Sequence, residues 1–316
     1  MIPMHHTKVE LLSDLLRELE ADVGTSDLCE LVLYSLKEAV RSLKVKNNDE
    51  FREQFKKLAL DMSQTKPKFG ILNYYLHLLM YECLHIKHES HDCKKSIIQK
   101  IDAIAHQTHK NRDLILDFGE RIDIENKTIL IHDHSHTVHN LLKKYRTRKH
   151  HFKIIVAEQD YQKTHQNIEV LHDAKIPFQV VPDYMLSHIH NSVDMVFFGA
   201  LTLKDTMDFV MDPGAYGIVS QFHTMNIPVY LFIDTTKFSL WKSEKKHEIF
   251  FHRQKRIHHT KAIEYERLKY SHDRVPAKLF YRIVTNEGIF SPEETEKLFQ
   301  KKLKAYEKSG LCDCCN

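Results

Sequence analysis

Five consecutive positions of this chain, His132, Asp133, His134, Ser135 and His136, hold side chains that can release, accept or share protons. They sit inside the stretch TILIHDHSHTVHNLLKK at residues 128–144. His132, His136 and His139 recur at helical spacing, which could bring their imidazoles to one face beside Asp133 as a metal-ligand set. A chain with 24 histidines forms such clusters by chance, so no metal site is expected. Asp133 and Ser135 also suit a helix start, where a short side chain carrying oxygen accepts from the first free N–H groups and complements the helix dipole.

The turn is positioned by what flanks it. Residues 128–131 are a short apolar strand, and Val138, Leu141 and Leu142 recur at helical spacing after it. A strand that enters a helix through a polar turn puts that turn at the carboxyl edge of its sheet, where ligands bind if the sheet is parallel. Further apolar runs at 153–157, 178–181, 195–198 and 228–233 alternate with amphipathic segments at 137–145, 162–173, 184–189 and 215–224. That alternation predicts a parallel sheet covered on both faces, with right-handed crossovers. The chain before it reads as helices only. Val9, Leu12, Leu16 and Leu19 form one stripe, Ser26 with Asp27 reads as the cap of a second helix, and helical patterns follow at 51–62, 71–86 and 96–118. The expected fold is α/β: an all-helical N-terminal domain over 1–124, then a Rossmann-like parallel-sheet domain over 125–316.

Composition excludes several functions. The formal net charge is +3, too slight for bulk nucleic-acid binding. Basic runs at 143–151 (KKYRTRKHH) and 252–261 (HRQKRIHHTK) lack interleaved aromatics and read as solvated surface, so no direct nucleic-acid contact is expected. No apolar run approaches the roughly 18 residues of a membrane span, and the first residues lack a signal-peptide pattern, so a cytoplasmic protein without membrane contact is expected. Cys29, Cys83 and Cys93 read as reduced thiols, and Cys312, Cys314 and Cys315 as a frayed tail. With eight glycines, no GxGxxG after the first strand and no GxxxxGK[ST], neither a dinucleotide nor a P-loop nucleotide is supported, and no cofactor is expected.

The segments ILIHDHSHTVHNLL, FKIIVAEQ, IPFQVVPD, VDMVFFGA and IPVYLFID, in this order, resemble the carboxyl-terminal domain of one superfamily. It contains the alpha, beta and delta regulatory subunits of eukaryotic translation initiation factor 2B, with methylthioribose-1-phosphate isomerase and ribose-1,5-bisphosphate isomerase. VTNEGIFSP at 284–292 resembles the end of that domain, and the helical first third fits the family's N-terminal architecture. The resemblance implies that the isomerases act with a cysteine just after the histidine of the first strand's end and an aspartate downstream of a Gly-Ala pair. Here His132 matches the histidine, Asp133 stands at the cysteine's position, and Asp208 falls on the aspartate. The family's Asn-Lys-x-Gly-Thr segment is replaced by Met211, Asp212, Pro213, Gly214 and Ala215, which turns a lysine suited to phosphate into an acid. Glu158 matches a family glutamate, and Asp160 stands where the isomerases carry an arginine. Asp183 and Asp194 match family acids, the first as a crevice residue and the second as a turn residue.

A carboxylate cannot replace a thiol as a proton donor near neutral pH unless burial raises its pKa, and added acids oppose a phosphate dianion. The resemblance therefore implies a divergent, non-catalytic relative of the regulatory subunits, acting in translation regulation through protein assembly as a homodimer or with related subunits. The implied ligands are the initiation factor 2 alpha subunit or a sugar phosphate. Ligand-binding candidates are His132, His134, Ser135, Glu158, Asp183, Gly199 and Gly214. The first alternative is an aldose-ketose isomerase of a phosphorylated pentose, with Asp208 and Asp133 catalytic. The second is a metal-dependent enzyme using the HDHSH turn.

Overall fold

The computed structural model describes residues 8–65, 70–86, 92–158, 161–241, 251–258 and 263–310. Asp160, the end of the second basic run and the three C-terminal cysteines lie outside them. Four helices come first: α1 (Lys8–Ser42), α2 (Asn48–Ser63), α3 (Gly70–His85) and α4 (Cys93–Gly119). Asn47 caps α2 by accepting from the Glu50 N–H, and Phe51, Phe55 and Ala59 then fall one turn apart on its buried face. These pack with Leu36, Leu76, Leu79, Ile97 and Ile101 into a core belonging to the helices.

The expected break before Ser26 is present at Gly24, where two helices meet in a kink. The helical path runs through Gly24, whose φ of 74° and ψ of 161° lie in a region that essentially only glycine occupies. Asp27, read as a cap from sequence, turns its carboxylate to Arg112 and His136, side chains that reach it from elements distant in sequence.

The period then changes as expected. β1 (Lys127–Ile131), α5 (His136–Thr147), β2 (Phe152–Glu158), α6 (Tyr161–Asp173), β3 (Phe178–Pro182) and β4 (Met195–Gly199) follow in order. The segment at 184–189 forms 3-10 turns rather than an α-helix. After β4 come β5 (Thr202–Leu203), β6 (Asp208–Met211), α7 (Ala215–Thr224), β7 (Val229–Phe232), a hairpin of β8 (Phe251–His258) with β9 (Ile263–Tyr270), and β10 (Asp273–Pro276). β11 (Arg282–Thr285), β12 (Gly288–Phe290) and α8 (Pro292–Lys308) complete the chain.

The main sheet has seven strands in the order β12-β11-β7-β4-β1-β2-β3, parallel throughout except for β12. β1 and β4 lie centrally, and every residue of β4 is buried, as a strand covered on both faces requires. Apolar layers on the two faces hold Leu130, Phe198 and Leu231 on one side and Ile131, Phe197 and Val284 on the other. A small antiparallel sheet of β10, β6 and β5 adjoins the carboxyl side of β4.

The helices are tied to the sheet by polar contacts. Tyr145 on α5 donates to the Gly119 carbonyl at 2.6 Å, and Asn111 on α4 donates to Asp234 after β7 at 3.2 Å. Four side chains of the basic run at 143–151 pair internally: Lys144 with Asp117 and Glu120, Arg148 with Glu120, and His150 and His151 with Glu125. α8 starts at a capping box of Ser291 and Glu294, buries Phe299 and Tyr306, and bonds the Tyr306 hydroxyl to His77 of α3 at 2.6 Å. No described helix is long and apolar enough to cross a membrane.

A Cβ at residue 24 would meet nothing within 4 Å, so the cost of Gly24→Ala is backbone strain alone. Thermal unfolding of Gly24→Ala is expected to show a loss of about 1–3 kcal/mol.

Candidate functional site

β1 ends among buried apolar residues, and the next two side chains inherit that burial: His132 is 1% exposed and Asp133 8%. Asp133 reaches sideways to the neighbouring parallel strand, where its Oδ2 accepts from the Gly199 N–H at 3.0 Å. Its Oδ1 is buried and has no hydrogen-bond partner among the described residues. Gly199 must lack a side chain, because a Cβ there would come within 2.8 Å of the Ser135 Cβ and 3.3 Å of Asp133. Ser135 is the N-cap of α5, accepting from the Val138 N–H at 3.4 Å. Of the two residues suited to capping, Ser135 caps the helix and Asp133 serves the sheet.

The three histidines at helical spacing diverge. His132 meets the Pro213 carbonyl at 3.4 Å, His136 bonds Asp27 at 2.6 Å, and His139 bonds Asn167 at 2.6 Å. Each ring is oriented by a different element, and no group of potential metal ligands occurs among the described residues.

A cleft of about 60 Å³ lies over this turn. Its floor is Asp133 to Thr137 with Gly199 to Leu201, and its roof is the α1 kink from Val23 to Ser26. Met211 and Asp212 at the end of β6 line it, with Lys163 of α6 and Lys237 after β7. Lys163 and Asp212 form an ion pair of 2.5 Å, and the Lys237 ammonium donates to the Ala200 carbonyl at 3.3 Å.

The titration of these groups follows from burial. Desolvation pushes the Asp133 carboxyl up to about 7, the Asp212 charge adds to that, and the Gly199 N–H opposes it. Burial lowers His132, takes His134 down to about 4 with help from His136, and takes His139 down to about 3 with help from His134. The imidazoles of His132, His134 and His139 are therefore neutral at pH 7, and lysines supply the positive charge. Asp27 is lowered: its burial raises it, but the His136 hydrogen bond and the Arg112 charge outweigh that.

The other sequence candidates are distributed around this centre. Gly214, with φ of 96°, is the N-cap of α7, and a Cβ there would sit 3.1 Å from His132 Nε2. Asp183 opens the 3-10 turn after β3, and its charge reaches His132. Glu158 is exposed at the end of β2, in register with Pro182. Asp208 lies at the start of β6, opposite Pro276, and its carboxylate accepts from the Thr206 hydroxyl at 2.8 Å. It is not among the cleft-lining residues, which come from the other end of that strand. Asp194 accepts from the Thr128 N–H at 2.8 Å and so fastens the start of β1, consistent with a turn role.

Sequence reasoning gave Asp27 only a capping role and missed Lys163, Lys237 and Asp273. Asp273 at the start of β10 accepts from both the Gly214 and Tyr216 N–H groups at 2.9 Å, and so caps α7 from a distant strand. Only the helical pattern around Lys163 gave any signal of its place.

The family model described as Initiation factor 2 subunit family matches residues 22–292, most of the chain. The chain belongs to that family. Translation initiation factor eIF2B subunit alpha of Dictyostelium discoideum is 24% identical over 148 residues, covering 46% of this chain and 46% of that protein. The match thus spans less than half the length of that curated relative. The translation initiation factor eIF-2B of Pyrococcus horikoshii superposes with a TM-score of 0.69 at 19% identity, covering 89% of this chain and 97% of that one. The tetrameric eIF2B-beta2-delta2 complex of C. thermophilum gives 0.69 at 16%, covering 93% of each chain. The 5-methylthioribose 1-phosphate isomerase of Pyrococcus horikoshii also gives 0.69, at 17% identity, covering 94% of this chain and 88% of that one. The likeness to these structures, translation factors and an isomerase alike, establishes the fold.

With Asp133 near 7 when folded and about 4 when unfolded, folding takes up a proton between those values, so this group makes stability fall as pH rises through that window. His134 and His139 act oppositely, their contribution being complete above about pH 6.5 and lost as pH falls toward 4 and 3. Asp133→Asn is expected to remove the first slope and to stabilise the protein at pH 8 by a few kcal/mol, on the order of the shift itself. Parallel wild-type and variant curves of thermal stability against pH would contradict the assignment.

Proposed function

We propose that this family member is non-catalytic and acts in translation regulation by assembling with related subunits or with a second copy of itself. The observation that carries the reading is the separation of the two catalytic candidates: burial raises the Asp133 carboxyl to about 7, the range a proton donor needs, but Asp208 does not share its cleft. A general acid and base must flank the reacting carbons of a sugar, and the second candidate, Asp208, does not line the cleft. Asp212 at the lysine position adds an acid beside it and engages Lys163. This arrangement consumes polar groups internally that an isomerase would direct at substrate.

Assembly is supported by the fold shared with subunits of a tetrameric beta-delta complex. It is also supported by the edge strand β3, where Val180 and the following Tyr184 and Met185 are exposed. Unpaired strand edges with apolar neighbours are surfaces that partners cover. In this reading the regulated factor is initiation factor 2, through its alpha subunit, in the cytoplasm.

Light scattering of the pure chain, and of the chain mixed with purified beta and delta subunits, tests assembly. A dimer or a mixed complex is expected, and a monomer at micromolar concentration that joins neither subunit would refute it. In parallel, no turnover of methylthioribose-1-phosphate or ribose-1,5-bisphosphate is expected. Turnover that Asp208→Asn abolishes would establish the isomerase instead.

A further inference from the structure

The solvent face of α8 carries positive charge that no ion pair balances among the described residues. The helix buries Thr295, Phe299 and Tyr306 and turns Lys297, Lys301, Lys304 and Lys308 outward. Spacings of four, three and four set these lysines in one line, about 16 Å long at roughly 1.5 Å per residue. The acids of the helix stand elsewhere: Glu293, Glu294 and Glu296 lie before the line and Glu307 beside it. Lys302, by contrast, points away from the line and is held by Glu287. Ala305, also exposed, leaves a low point between Lys301 and Lys308 where a second helix can approach.

α1 has the opposite character near its N-terminal end. Leu12, Leu16 and Leu19 face the helical core, and Leu16 is buried in it. Beside them Leu11 and Leu15 are 58% and 52% exposed, one turn apart, and Asp14 and Glu18 are exposed along the same face. A helix that buries one leucine row and shows a second, edged by acids, has more apolar surface than its own core uses. The two carboxylates are four residues apart, the step that also separates Lys297 from Lys301 and Lys304 from Lys308. No aromatic or arginine stands in the lysine row, which argues against nucleic acid and for carboxylates as its partner. Within one chain α1 packs on α2, α3 and α4 while α8 packs on β11 and β12, so the matching faces are left for contact between chains.

We propose that α8 of one copy docks on the outer face of α1 in a second copy. Lys301, Lys304 and Lys308 then meet Asp14 and Glu18, and Leu11 and Leu15 sit on Ala305 and the lysine stems, which cover apolar surface while their ammonium groups stay at the rim. Each copy supplies one α1 and one α8, so two such contacts close a symmetric dimer. This names the surface and the partner for assembly with a second copy, and it rests on that part of the assembly reading.

Sedimentation velocity of the full chain, at about 0.15 M and about 1 M salt, tests the proposal by exchanging the charges. Wild-type protein is expected to dimerise, more weakly at the higher salt. Lys301→Glu with Lys304→Glu and Lys308→Glu in one chain, and Asp14→Lys with Glu18→Lys in another, are each expected to weaken the dimer about tenfold or more. Mixing the two variants is expected to restore a dimer, because each exchanged face then meets its opposite, and the chain carrying all five changes is expected to dimerise alone. All five positions are exposed, and circular dichroism checks that each variant is folded. A dimer unaffected by either set of changes would overturn the α1–α8 contact while leaving assembly in place, as would variants that fail to recover on mixing. A wild-type chain that stays monomeric at micromolar concentration would overturn both the contact and assembly with a second copy.

Discussion

A carboxylate buried between the ends of two central parallel strands sets the conditions for everything around it. Asp133 sits where β1 leaves the sheet, and its bond to the Gly199 N–H joins β1 to β4 two residues beyond the last ladder pair, Ile131 with Phe197. A side chain at Gly199 would meet first Ser135, the N-cap of α5, and then Asp133, while His136 in the first turn of that helix bonds Asp27. Asp27 in turn holds Arg112, and the neighbouring Asn111 reaches Asp234 at the end of β7. One buried acid at the turn is thus continuous, through named contacts, with the closure of the helical region over the sheet.

The same neighbourhood explains why a turn so rich in histidine is not a cationic site. Desolvation holds His132, His134 and His139 neutral at pH 7, so they orient by hydrogen bonds and ring contacts rather than by charge. His134 packs edge-on against His136 and His139, each at 4.9 Å between ring centroids. The charged groups are paired among themselves, Lys163 with Asp212 and Asp27 with Arg112. A catalytic site keeps such groups unspent and aimed at a reacting atom. Here Lys163 is engaged by Asp212 and Lys237 by the Ala200 carbonyl, both inside the chain.

Local pattern made part of this legible. The apolar runs that became β1, β2, β3, β4 and β7, and the 215–224 segment that became α7, signal themselves because a doubly covered strand is apolar along its length and a crossover helix is apolar on one face. β5, β6 and β10 were passed over because they are two to four residues long and pair across dozens of residues. Site residues divide the same way. Asp133, Ser135 and Gly199 were readable from their place at strand ends and from family resemblance. Asp273 was not, because it comes from a distant strand and no local spacing connects it to Gly214. Asp27 was read only as a cap because a residue before an apolar run looks like one until its side-chain partners on other elements are known.

The central claim is that Asp133 is a buried carboxyl held against a backbone donor in a closed site. Its most direct test is a carbon-13 NMR titration of the side-chain carboxyls of uniformly labelled protein, with the Asp133 signal assigned by its loss in Asp133→Asn. The account predicts a midpoint near 7, far above an ordinary aspartate, together with the slow solvent exchange of a sequestered Gly199 amide. A midpoint in the usual range near 4 would place Asp133 in water. It would remove the buried carboxyl on which this account of the turn depends.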